Sequence, residues 1–99
     1  MSRQVLWRPR AEADLDDIWR YTVETWSEGQ AVAYLTGLER TLRLLAEFPE
    51  TARLREEFVP PVRVHPYRAH LVIFQSDEAV LDVVRVVHAR ANWQAFLAE

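Results

Sequence analysis

The run VRVHPYRAHLVIFQSDEAVLDVVRVVHAR, residues 62–90, is dense in β-branched and aromatic residues and is cut by short polar interruptions. Such runs bounded by turn residues read as strands. Residues 62–65, 69–75 and 80–88 then form a meander of three antiparallel strands, with Pro66-Tyr67 and Asp77-Glu78 as its turns. Upstream, residues 50–58 are charged without a clean period and end at Pro60-Pro61, which predicts an irregular crossover into the sheet. Before it, Ala31, Leu35, Leu38, Leu42, Leu45 and Phe48 recur at helical spacing until Pro49. Leu15, Ile18, Trp19, Thr22 and Trp26 do the same after Pro9, with Glu12, Asp14, Asp16 and Asp17 in the early turns, where carboxylates suit the helix dipole. Ser27-Glu28-Gly29 is too short for anything but an antiparallel helical hairpin. Val5, Leu6 and Trp7 make a first strand that runs into the helix at Pro9, and residues 92–99 make one terminal helical turn. The expected fold is α+β, ordered β-α-α-β-β-β, with the helical hairpin on one face of a mainly antiparallel sheet and a short C-terminal helix.

Ninety-nine residues, 49% of them hydrophobic, suit one domain over residues 1–99 with a modest core. A charged fraction of 27% and a net charge of -3 describe a soluble chain and argue against a general nucleic-acid binder, which needs a basic excess against phosphate. Without cysteine there is neither a disulfide framework nor a thiolate metal site, so packing carries stability. No apolar run resembles a signal peptide or a membrane span, and a cytoplasmic location is the simplest expectation.

Two-residue turns would set His70 opposite Arg85, Arg68 opposite Val87, His65 opposite Arg68 and Arg63 opposite His70. One face then collects Arg63, His65, Arg68, His70 and Arg85. The other collects Leu71, Ile73, Val84 and Val86 as a seat for Leu15, Ile18, Leu38 and Leu42, with Asp82 near its edge. Asp-Glu is a poor hairpin pair, and a slip of one residue would exchange the faces. The cationic face has two readings. It is the solvated side of a half-covered sheet, or it binds anions through Arg63, Arg68 and Arg85, with a histidine able to move a proton.

Other chemistry finds no support. The histidines lack metal-ligand spacing, the serines lack a nucleophile elbow, and Gly29 and Gly37 make no phosphate loop, so no metal or cofactor is expected. Trp19 and Trp26 read as core or helix-seam residues, whereas Trp7 and Trp93, near the chain ends, suit partly exposed partner anchors.

Taken in order, LWRPRAEADLDDIWRYTVETW (residues 6–26), QAVAYLTGLERTLRLLAEFPETAR (30–53), YRAHLVIFQ (67–75) and VVRVVHARANW (83–93) resemble ParE-type toxins of the RelE/ParE superfamily. The resemblance implies a helical hairpin packed on a small sheet. It also implies a ParD-like antitoxin, encoded alongside, whose C-terminal segment wraps the toxin in a hetero-oligomer. ParE-type members are inhibitors of DNA gyrase, whereas RelE-type members cut messenger RNA on the ribosome. Tyr67-Arg68 matches the strand motif, and Arg90 falls where the RelE branch places a second arginine. That branch also uses lysines on the preceding strand, where this chain has Arg63 and His65, and a C-terminal tyrosine, where it has Phe96. The expectation is a gyrase-directed toxin that binds proteins and is not an enzyme. The alternatives are a ribonuclease using Arg68, Arg90, His65 and His70, or a non-toxic relative that binds antitoxin. Candidate contact residues are Trp7, Arg63, Tyr67 and Arg68, with Arg85, His88, Arg90 and Trp93 at the other end of the meander. The helical hairpin and the neighbouring sheet edge would form the antitoxin surface.

Overall fold

In the computed structural model, which describes residues 2–97, β1 (Gln4–Trp7) leads into α1 (Pro9–Thr25) and α2 (Glu28–Glu47). A single 3-10 turn, Pro49–Thr51, precedes β2 (Arg53–Arg55), β3 (Val62–Tyr67), β4 (His70–Ser76), β5 (Val80–His88) and α3 (Trp93–Leu97). The last two residues of the expected terminal turn, 98 and 99, lie outside the described residues. Pro9 takes the first helical position of α1, where its missing N–H costs nothing. Ser27 caps α2, its Oγ accepting the Gln30 N–H at 3.0 Å.

Among the described residues the sheet is ordered β1-β5-β4-β3-β2, with β1 parallel to β5 and the other neighbours antiparallel. The α+β class and the hairpin-on-sheet packing are as expected. β2 falls inside the segment read as irregular; its three residues are too few to show a period.

The register differs from the expected one. β3 continues through Pro66 and Tyr67, and the turn is Arg68-Ala69, which sets Tyr67 opposite His70 and Arg63 opposite Phe74. Pro66 is tolerated because β2 pairs only with Val62 to Val64, leaving β3 an edge at that point. Arg68 turns the corner with φ of 51°, a left-handed conformation that L-residues adopt at a cost of about 1 kcal/mol. On the other side of β4, Ser76 pairs with Leu81 and not Ala79, and Asp77 organises the loop by accepting the Ala79 and Val80 N–H groups. A bulge then shifts the ladder: Phe74 faces Val83, Ile73 faces Arg85, and Val84 is the extra residue. His70 therefore faces His88, not Arg85.

The expected faces are corrected accordingly. Val72, Phe74, Leu81, Val83 and Val86 lie beneath the helices with Ala11, Ile18, Leu38, Leu42 and Leu45, and Leu15 packs at the margin. Ile73 and Val84, assigned to the helix side, face the other way, with Val62, Val87 and Trp93, and Leu71 packs against them. There α3 and Phe58 cover them. The five-membered cationic face does not form.

α2 meets the sheet closely at Gly37. The Tyr67 hydroxyl donates to the Tyr34 carbonyl at 2.8 Å, and a Cβ on residue 37 would lie 2.2 Å from that hydroxyl oxygen. Gly37→Ala is expected to destabilise by up to about 2 kcal/mol, the overpacking cost of about 1–3 kcal/mol less the roughly 1 kcal/mol gained in helix propensity. Tyr67→Phe in the same chain removes the colliding oxygen and should recover part of the loss, as read by urea unfolding. A more stable Gly37→Ala chain would show that the tyrosine moves aside freely.

Candidate functional site

β1 stops pairing at Trp7 because the chain turns into α1 at Pro9, so among the described residues β5 has no strand on its outer edge beyond Val83. α1 closes the first part of this gap. Asp14 accepts the Val86 N–H at 2.9 Å and holds the Arg85 guanidinium at 2.8 and 2.9 Å, one contact per nitrogen. Their side chains are only 12% and 15% exposed, so the pair is shielded from water. The Arg85 guanidinium also lies 4.9 Å over the Phe96 ring, which ties α3 to this edge.

Beyond Asp14 the edge opens into a cleft of about 970 Å³ between the helical hairpin and the end of β5. Ile18, Tyr21 and Trp26 form its α1 wall, Tyr34 rises from α2, and Arg68, His70 and His88 close the sheet side. Tyr21 is 64% exposed and Trp26 69%, so two large aromatic rings stand open on one wall of the cleft. Neither Arg68 nor Arg90 has an ion-pair partner among the described residues, so this end of the sheet is cationic.

The floor holds a polar chain. Tyr34 Oη and His70 Nδ1 are 2.6 Å apart, and the His70 and His88 rings meet edge-on with centroids 5.5 Å apart. The Arg90 N–H donates to His88 Nδ1 at 3.1 Å. Burial, then the neighbouring His88, pushes the His70 pKa down, against a smaller opposing pull from Asp14. Burial raises the Tyr34 pKa, so its hydroxyl keeps its proton. Among the described residues no group of three or more metal-ligating side chains occurs.

A pH dependence follows. Below about pH 6.5 the unfolded chain protonates its histidines while folded His70 resists, so folding stability is expected to fall until folded His70 also titrates. His65, lowered by burial, acts in the same direction. Urea unfolding from pH 7.5 to 5 should show this decline, and His70→Gln should flatten it. An equally steep decline in that variant would place the effect elsewhere.

The cleft unites Arg68, His70, Arg85 and His88 from the sequence candidates, with Tyr67 packed edge-on against Tyr34 behind it and Arg90 bonded to His88. The others lie apart. Arg63 donates to the Ala52 carbonyl at 2.7 Å, and His65 sits opposite Val72. Trp7 lines a separate apolar hollow with Leu35 and Leu42. Trp93, expected to be partly exposed, is buried against Phe58 and the Arg55 guanidinium, whereas Trp26, expected in the core or the helix seam, is exposed. Sequence reading missed Asp14, Tyr21 and Tyr34. The available signal was spacing: Asp14 stands three residues after Ala11 and four before Ile18, a carboxylate on the buried stripe.

Residues 5–93 match the model of the family described as ParE toxin of type II toxin-antitoxin system, parDE. The chain is 34% identical over 88 residues to Toxin ParE1 of Caulobacter vibrioides, covering 89% of this chain and 91% of that protein. It is 34% identical over 93 residues to Toxin ParE1 of Mycobacterium tuberculosis, covering 93% and 95%. A solved structure of the chromosomal ParDE TA system from P. aeruginosa superposes with a TM-score of 0.73 over 88% of this chain and 96% of that one. At 19% identity this last likeness shows a shared fold.

Proposed function

The chain belongs to the ParE toxin family of type II toxin–antitoxin systems, and from that membership we propose that it is the toxin half of such a pair. A ParD-like antitoxin seated in the β5-edge cleft neutralises it, and when free it acts by binding DNA gyrase. The observation that carries the antitoxin assignment is the cleft: an open trough with exposed aromatic rings on one wall and, at its end, Arg68, which has no ion-pair partner among the described residues, fits an amphipathic, acidic segment. The gyrase assignment rests on the family alone.

Both parts are testable. The product of the adjacent reading frame should co-purify with this chain and suppress its toxicity. Purified chain should inhibit supercoiling by gyrase and accumulate cleaved DNA; unchanged supercoiling and cleavage at micromolar concentration would remove the gyrase reading. Normal growth of cells expressing the chain alone would leave only a non-toxic, antitoxin-binding relative.

One observation favours a second reading. His70 and His88 meet beside Arg68 in the same cleft, and paired imidazoles next to a cation can exchange acid and base roles on a phosphodiester. His65 takes no part, since it does not line the cleft. Absence of codon-proximal cuts in translated messages after induction would dismiss ribonuclease action.

A further inference from the structure

The hydrogen bonds on the cleft floor can run in two directions. When neutral His70 carries its proton on Nε2, its Nδ1 accepts from the Tyr34 hydroxyl, 2.6 Å away. If Nδ1 takes a proton from solvent, it becomes the donor to Tyr34 Oη. The hydroxyl then needs another acceptor, and the Tyr67 carbonyl lies 3.4 Å away. One hydroxyl rotation satisfies either state. His88 accepts at Nδ1 from the Arg90 N–H, so its other nitrogen can take a proton without breaking that bond.

We propose that Tyr34, His70 and His88 form a proton-operated switch on the cleft floor, which takes up protons when an acidic partner segment lies over it and so ties occupancy of the cleft to pH. It rests on the reading that this cleft seats the antitoxin. The groups around His70 explain why an occupant is required. From β5, His88 opposes a second positive charge, and from the β3–β4 turn Arg68 adds another. From α1, Asp14 is already committed to Arg85, and Asp17 lies 3.4 Å from Arg20. From α2 and β3, Tyr34 and Tyr67 offer hydroxyl and carbonyl groups but no charge. Among these groups, therefore, nothing fully offsets two imidazolium ions. Carboxylates of a bound segment would, and by linkage their binding strengthens as the pH falls.

The test is an NMR titration of the histidine ring protons in the free protein and in its complex with the adjacent gene product, alongside the affinity at pH 7.5 and 5.5. In the free protein, His88→Gln should raise the His70 midpoint by removing a like charge, and Tyr34→Phe should lower it, because the charge-assisted bond lost from the imidazolium is stronger than the one lost from the neutral ring. These opposite shifts would not come from general loosening of the cleft. In the complex the His70 midpoint should rise, and affinity should gain roughly three- to tenfold between pH 7.5 and 5.5, the size expected of one or two added surface charge contacts. His70→Gln should abolish most of the gain. A His70 midpoint unmoved by His88→Gln, or raised by Tyr34→Phe, overturns the switch. Flat affinity in a complex that Trp26→Ala weakens also overturns it. If Trp26→Ala leaves affinity intact and binding does not move the His70 midpoint, the antitoxin seat is wrong, whatever the free-protein shifts.

Discussion

Asp14→Ala is expected to lower the unfolding free energy by about 3–5 kcal/mol, the loss that follows when one partner of a shielded ion pair is removed. Three contacts vanish together. The Arg85 guanidinium loses both contacts to the carboxylate while only 15% exposed, leaving a shielded cation without its carboxylate. The Val86 N–H, at a point on β5 that no strand covers, loses its acceptor, which alone costs about 1–3 kcal/mol if water cannot replace it. For a domain of ordinary stability, about 5–15 kcal/mol, this approaches half the total. Asp14→Asn should fall between, since an amide oxygen can still accept one bond but carries no charge. Asp14→Leu with Arg85→Met should recover part of the loss, because replacing a buried pair as a unit removes the cation along with its carboxylate, although the Val86 N–H still loses its acceptor. Urea unfolding at pH 7.5 measures all three. A loss below about 1 kcal/mol for Asp14→Ala would mean that water reaches the pair and that the β5 edge is held by something else.

That contact also shows where the sequence ceases to be readable. The helical hairpin was legible because Ile18, Leu38 and Leu42 repeat at the spacing that a helix turns into one buried stripe. β5 was legible to the residue because β-branched side chains fill it between polar breaks. Register was not. β4 is apolar on both faces through Leu71, Val72, Ile73 and Phe74, so alternation gave no direction, and both faces are in fact covered. The bulge at Val84 then reversed the alternation within β5, which no local pattern announces. Trp26 continued the apolar stripe of α1 by spacing alone. In the structure the helix ends at Thr25, Trp26 leaves helical geometry with φ of -125°, and its side chain is exposed. Arg68, His70 and Arg85 did converge on one cleft, although by a different pairing from the one derived for them.

The exposed Trp26 leads to the largest functional effect. Trp26→Ala is expected to weaken antitoxin binding by about 2–4 kcal/mol, roughly 30- to 1000-fold, while changing folding stability by no more than about 0.5 kcal/mol. The separation of the two follows from its position. Its ring is 69% exposed and contributes little to the core, whereas its backbone N–H donates to the Thr22 carbonyl at 2.9 Å, a bond that alanine keeps. A large ring on a cleft wall gains most of its burial when a partner arrives, and indole loses little rotamer freedom on doing so. Arg68→Ala should behave differently, with a smaller loss that fades in high salt, since its contribution is a charge at an exposed rim. Calorimetric titration of the adjacent gene product against wild type and both variants, with thermal melts as the folding control, separates these cases. Wild-type affinity for a correctly folded Trp26→Ala chain would remove this ring as an anchor and, if binding also leaves the His70 midpoint unmoved, would exclude the cleft as the antitoxin's seat.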